Sequence, residues 1–178
     1  MMEAVEFPER TASLPEKPWA VTGEAATRRN LISSIYLRHE ELEAHILKLQ
    51  RKYGELERRE CAWEEICCND CDTLVVAYGI TSRVARAAVE MARNRGVRAG
   101  MLRPVTLYPF PMQRLRDLAR TVSSVLAVEL STGQLVEDVR LAVEGRTEVR
   151  HMGRAGGMIP TAEDILEEME MECVGDCA

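Results

Sequence analysis

The residues best suited to chemistry in this 178-residue sequence are six cysteines and a few polar groups in three glycine- or proline-marked loops. Cys61, Cys67, Cys68 and Cys71 crowd one eleven-residue stretch, and Cys173 and Cys177 stand near the end. Thiolates at that density could hold zinc or an iron–sulfur cluster. Only Cys68-x-x-Cys71 has the short spacing a metal knuckle needs, five residues separate Cys61 from Cys67, and a second matched pair is missing. Reduced thiols are the expectation, with Cys67, Cys68 and Cys71 as the set that would seat a metal if one were bound.

The first loop is Gly79-Ile80-Thr81-Ser82-Arg83. Its glycine, two hydroxyls and guanidinium could hold a phosphate or carboxylate, or dock a partner, together with Gln134 of the third loop. It is neither a P-loop nor GxGxxG. The hydroxyls serve equally well as a helix N-cap, and that is the favoured reading. The second loop, Arg103 to Pro111, combines three prolines with Tyr108 and Phe110 in a rigid shape suited to packing on another subunit; Arg103 is expected to pair with a buried carboxylate such as Glu129. The third loop, Glu129 to Gln134, places a carboxylate where a general base could sit. No histidine or cysteine lies in these loops to complete a catalytic set. His39, His45 and His151 are read as structural or solvated.

Those loops need a frame, and the apolar pattern supplies one. Leu74 to Tyr78, Val97 to Leu102, Val125 to Glu129 and Thr147 to His151 read as short strands. Between them, helices are expected from Gly79 to about Arg95, near Gln113 to Arg120, and from Gly133 and Gln134 to about Val143. A last helix follows Pro160, with Thr161 as N-cap. Such alternation implies an α/β fold: three layers, doubly wound, around a mostly parallel sheet. A long helical arm precedes it, because Ile32, Ile35, Leu42, Ile46, Leu49, Tyr53, Leu56 and Trp63 recur at steps of three and four between about Asn30 and Cys67. Gly54 could break that helix. Before it, Pro8, Pro15 and Pro18 mark a connector in which Trp19 is the one large apolar anchor. The expected organisation is a linker over 1–30, an amphipathic helical arm over 31–70, the α/β domain over 71–172 and a flexible tail over 173–178.

Composition narrows the class. Charged residues make up 29% and apolar ones 46%, with a formal net charge of −6. Wholesale disorder and a dedicated nucleic-acid binder are both disfavoured. No apolar run approaches the roughly 18–20 residues that span a bilayer, and no signal-peptide core opens the chain, so no membrane partner is expected and a cytoplasmic protein is the default.

Taken together, several of these segments resemble a known family. Lys17 to Gly23, Arg29 to Ile32 and Ser34 to Leu37 look like the linker of the alpha-type subunit of branched-chain 2-oxoacid:ferredoxin oxidoreductases. Ala77 to Ala85, Leu102-Arg103-Pro104 with Tyr108 to Pro111, Val128 to Ser131 with Gly133-Gln134, Glu137 to Arg140 and Gly153 to Thr161 are similar to that subunit's C-terminal domain. The resemblance covers about Val5 to Glu168, and the order and spacing of the motifs carry it.

It implies a transketolase C-terminal-like fold within a thiamine-diphosphate enzyme. Such enzymes decarboxylate a 2-oxoacid, transfer the acyl unit to coenzyme A and pass electrons through iron–sulfur clusters to ferredoxin. The family's pyrimidine-binding domain is absent from this sequence, and thiamine diphosphate, magnesium and the clusters are expected elsewhere in the complex. No family catalytic residue can be carried onto this chain, and the cysteine cluster has no family counterpart. The expected role is a structural and subunit-assembly domain, inactive alone, of an enzyme acting on 3-methyl-2-oxobutanoate, with a 2-oxoglutarate or other 2-oxoacid enzyme as the near alternative. A free-standing phosphate- or coenzyme A-binding module and a metal sensor are the rival classes. Partners would be the other subunits, with ferredoxin and coenzyme A through them, and a homodimer through the long helix is consistent with its seam.

Overall fold

A computed structural model of the chain describes residues 13 and 15–171. The chain forms two compact units, Met1–Lys48 and Leu49–Ala178.

In the first unit a 3-10 helix spans Ala25–Asn30. The Asn30 side-chain amide ties it down by donating to the carbonyls of Pro18 and Ala20, at 2.8 and 3.0 Å. Trp19 is 68% exposed, so it is not a buried anchor among the described residues. Residues 31–37 are irregular, and α1 then runs His39–Arg59 without a break at Gly54. The expected helix from Asn30 to Cys67 is therefore too long at both ends.

The second unit contains the sheet. Trp63–Ile66 is not helix but β1, an edge strand antiparallel to β3, Ala99–Pro104. Its sequence, Trp-Glu-Glu-Ile, has no inward alternation because the edge position buries only part of Ile66. The pairing shows why carboxylates stand there: Glu64 faces Arg103 across the strands, and Arg103 Nη1 donates to Glu64 Oε2 at 2.9 Å. The expected Arg103–Glu129 pair does not form.

β2 (Thr73–Ala77), β3, β4 (Ser124–Glu129) and β5 (Glu148–Gly153) are parallel, in the order β1-β3-β2-β4-β5. Alternate residues of the central strands face opposite layers. Leu74, Val76, Val125 and Ala127 pack with Leu115 of α3 (Met112–Leu118) and Val139 of α4 (Leu135–Val143). Val75, Ala77, Leu126 and Val128 pack with Val89 of α2 (Gly79–Asn94) and Ile165 of α5 (Ala162–Glu170). Both faces are covered, so the strands read as unbroken apolar runs. The three-layer, doubly wound α/β architecture is as expected, and the tail beyond Met171, with Cys173 and Cys177, lies outside the described residues. No helix among the described residues is long and apolar enough to cross a membrane.

Candidate functional site

Parallel strands deliver their loops to one edge, where helix N-termini present unpaired N–H groups. Two of these N-termini decide what the edge can bind.

At the first, β2 ends in Tyr78, which takes the N-cap position of α2 without a side-chain cap. Gly79 follows at φ +58°, a conformation its missing Cβ makes easy. Thr81 and Ser82 do not cap the helix. Both are buried, and their hydroxyls donate backwards, Thr81 Oγ1 to Tyr78 O at 2.6 Å and Ser82 Oγ to Gly79 O at 2.7 Å. Arg83 points its exposed side chain away from the core.

The second N-terminus, that of α4, is filled by the chain itself. Glu129 is fully buried at the end of β4. Its Oε2 accepts from the Ser131 hydroxyl and from the N–H groups of Gln134 and Leu135, both at 2.9 Å, and its Oε1 accepts from Val136 N–H at 3.1 Å. His151 Nε2, on neighbouring β5, lies 3.1 Å from Oε1 without the angle of a good hydrogen bond. Burial alone would raise the Glu129 pKa. The Ser131 hydroxyl and the three N–H groups outweigh it and hold the carboxyl below its ordinary value. A carboxylate thus sits where a bound phosphate would otherwise meet the helix dipole. Glu129 plugs the α4 N-terminus from within the chain.

Of the five loop residues singled out, Gly79, Thr81, Ser82 and Arg83 share the first turn of α2, whereas Gln134 lines a small pocket of about 120 Å³ with Tyr78, Leu107, Leu135 and Asp138 that none of those four borders. A wider hollow of about 630 Å³ opens beside the proline loop, between Glu57 and Arg58 of α1 and Trp63, Tyr108 and Phe110. Thr106 braces that loop, accepting from Ala62 N–H at 3.0 Å and donating to Pro109 O at 2.7 Å. Just beyond the carboxyl ends of the parallel strands the chain exposes Ile80, Val105, Leu107, Tyr108, Leu130 and Ile159. This apolar rim was missed in the sequence because its members are scattered, one or two to a loop, and only the sheet gathers them.

Cys67, Cys68 and Cys71 fall at the opposite edge, whereas Cys61, ahead of β1, lines the hollow beside the proline loop. Cys67 is exposed, at φ +51°. Cys68 and Cys71 are buried, and their thiols donate to backbone oxygens, Cys68 Sγ to Met101 O at 3.1 Å and Cys71 Sγ to Cys68 O at 3.6 Å. Burial first, and the neighbouring Cys71 second, push the Cys68 thiol up to about 11, so it stays protonated at neutral pH. No cluster of three or more metal-ligating side chains occurs among the described residues.

This geometry can be set beside known proteins. Residues 71–165 match the family described as pyruvate:ferredoxin oxidoreductase core domain II. The chain belongs to that family. Ketoisovalerate oxidoreductase subunit VorB of Methanothermobacter thermautotrophicus is 44% identical over 177 residues, covering 99% of this chain and 50% of that protein. The 2-oxoglutarate synthase subunit KorA of Methanothermobacter marburgensis is 37% identical over 101 residues, covering 57% of this chain and 27% of its own length. This core domain II chain spans about half the length of the VorB relatives it matches. In three dimensions it superposes on a 2-oxoglutarate:ferredoxin oxidoreductase from Magnetococcus marinus, solved with 2-oxoglutarate, coenzyme A and succinyl-CoA bound. The TM-score is 0.61 at 17% identity, over 75% of this chain and 23% of that one. A split-gene transketolase, solved as an inactive tetramer, aligns at a TM-score of 0.52 and 21% identity, over 61% of this chain and 40% of that one. Both support the transketolase-like fold.

A thiamine diphosphate needs a phosphate cradle with metal-binding carboxylates, and neither of these two helix N-termini fits one. The α2 hydroxyls are turned onto their own carbonyls, and Glu129 fills the α4 N-terminus.

Proposed function

We propose that this chain is a structural and subunit-assembly domain of a thiamine-diphosphate-dependent 2-oxoacid:ferredoxin oxidoreductase. In that complex a branched-chain 2-oxoacid, 3-methyl-2-oxobutanoate, is oxidatively decarboxylated to an acyl-CoA while ferredoxin is reduced. Thiamine diphosphate, magnesium and iron–sulfur clusters belong to other parts of the assembly, and so does the chemistry. The observation that carries this reading is the 44% identity with a ketoisovalerate oxidoreductase subunit over 177 residues. It extends through the arm ahead of residue 71, which the core domain II match does not reach. The loop edge supports it: an apolar rim without a catalytic set suits contact with another polypeptide better than turnover. A 2-oxoglutarate enzyme is the second reading, supported by KorA at 37% identity over the shorter span.

The test is to purify the chain alone and with its co-expressed partner subunits. Coenzyme A-dependent, 3-methyl-2-oxobutanoate-driven ferredoxin reduction is expected only from the assembly, and thiamine diphosphate titrated into the isolated chain should give no heat. Tight binding by the chain alone overturns the division of roles. Preference of the assembly for 2-oxoglutarate overturns the substrate.

A further inference from the structure

The arm's long helix carries a pattern the proposed enzyme role does not use. α1 spans 21 residues and buries none of them. Leu42, Ile46, Leu49, Tyr53 and Leu56 follow one another at steps of four, three, four and three. That is a heptad seam, with Leu42, Leu49 and Leu56 at the d positions and His39, Ile46 and Tyr53 at a. Leu42 and Ile46 are 38% and 47% exposed, while Tyr53 meets Tyr108 edge-on at 6.3 Å and is still 37% exposed. Leucine at all three d positions, with isoleucine at the central a position, favours two strands over a larger bundle.

The flanking charges say which occupant fits. The e positions are Glu43, Gln50 and Glu57, and the g positions are His45, Lys52 and Arg59, with Arg38 in the same register one residue ahead of the helix. Acidic and neutral groups line one side of the seam, and basic groups line the other. Place a second, identical helix parallel and in register. Each g then faces the e five residues on in the other copy: Arg38 meets Glu43, and Lys52 meets Glu57. Place it antiparallel and e faces e while g faces g, so Glu43 opposes Glu57 and Arg38 opposes Arg59. Only the parallel arrangement pairs unlike charges. Arg38 does touch Glu40 and Glu41 in its own chain, but at 3.9 and 3.7 Å and with 72% of its side chain exposed. Such contacts are weak and readily exchanged. His45 is held by Tyr36, with ring centroids 4.6 Å apart and Tyr36 Oη 2.9 Å from Nδ1, so it stands opposite uncharged Gln50 at no electrostatic cost.

We propose that α1 is a homodimerisation element: a second copy of this chain packs its own α1 on the Leu42–Ile46–Leu49 seam as a parallel, in-register coiled coil. Sedimentation velocity on the full chain, from about 1 to 100 µM, should show a monomer–dimer equilibrium. Ile46→Asp should weaken the dimer about tenfold or more with the far-UV spectrum of the sheet unchanged. Leu47→Asp, equally apolar and 54% exposed but off the seam, should leave it intact. Glu43→Lys with Glu57→Lys should weaken it, and adding Arg38→Glu with Lys52→Glu should restore it, because the swapped signs are again complementary. A chain monomeric throughout overturns the proposal, as does a dimer more sensitive to Leu47→Asp than to Ile46→Asp. A dimer indifferent to the paired Glu reversals overturns the parallel register, because in the antiparallel form like charges already face one another.

Discussion

At the amino edge of the parallel strands, the Cys67–Asp72 loop folds down over β3 and is clamped there. Asp72 N–H donates to Arg98 O at 2.7 Å, Ser123 N–H donates to Asp72 O at 2.7 Å, and bidentate Arg93–Asp70 and Arg98–Asp72 pairs close the outside. At the carboxyl edge, the loops after β2, β3, β4 and β5 end in Ile80, Leu107, Tyr108, Leu130 and Ile159, each more than 40% exposed. One edge is closed on itself by polar contacts, and the other turns apolar surface outwards. A chain folding only for its own stability would favour the first solution at both ends. Under the proposed assembly role the carboxyl edge is the one that meets another polypeptide, with Glu129 beneath it supplying from inside the charge that a ligand would supply elsewhere.

The comparison breaks first at Glu129. Glu129→Ala leaves the N–H groups of Leu135 and Val136 buried without an acceptor, and should cost about 3–5 kcal/mol in urea unfolding. Glu129→Gln keeps one acceptor and should cost less. The pH dependence has a definite sign. The folded carboxyl titrates below its ordinary value of 4.5, so its contribution is complete above about pH 4.5 and is lost as pH falls through the lowered folded pKa. Glu129→Gln should flatten that part of the stability–pH curve. An unchanged curve would mean the plug contributes nothing and the α4 N-terminus is open for a ligand.

The amino edge is tested at Gly100. A Cβ there would lie 2.8 Å from both Cys67 O and Cys71 Sγ, and the carbonyl is backbone that cannot turn aside. Gly100→Ala should destabilise by about 1–3 kcal/mol, read as a lowered Tm, and should expose Cys68 and Cys71 to a thiol reagent. A neutral result would show the clamp to be loose. On the other edge, Thr161 and Asp164 form a reciprocal capping box at the start of α5, with hydrogen bonds of 3.1 and 2.9 Å. Thr161→Ala should cost about 1 kcal/mol in the same unfolding assay.

How much of this was legible in the sequence follows from where each residue's partners lie. The central strands were readable because burial on both faces writes itself as an apolar run, and Thr161 was readable because its partner is three residues away. Trp63–Ile66 was not, since an edge strand's pattern is set by β3, 35 or more residues on, and a tryptophan at helical spacing continues the α1 stripe. Arg103 was assigned to the wrong carboxylate for the same reason. The Glu129 plug left a faint signal: an acid at a strand end, with a helix opening five to seven residues later. The hydroxyls of Thr81 and Ser82 left none, because their donors can turn forwards to cap a helix or backwards to a carbonyl without any change in sequence.

The smallest effect on stability is the one that sharpens the comparison most. Leu107 and Ile159 are 49% and 45% exposed, so polar replacements remove little that the isolated chain buries. Leu107→Ser and Ile159→Ser should each leave unfolding within about 0.5 kcal/mol of the parent. Their consequence should appear only when partner subunits are present. If the carboxyl edge is an assembly surface, the paired variant should co-purify poorly with the other subunits and lose assembly-dependent ferredoxin reduction in proportion. An equally polar change at the amino edge, Arg98→Ser, should leave both intact, because the Arg98 guanidinium is paired with Asp72 of its own chain. Full assembly by the Leu107/Ile159 variant would mean that the exposed rim is ordinary surface and that the partner is bound by the arm instead.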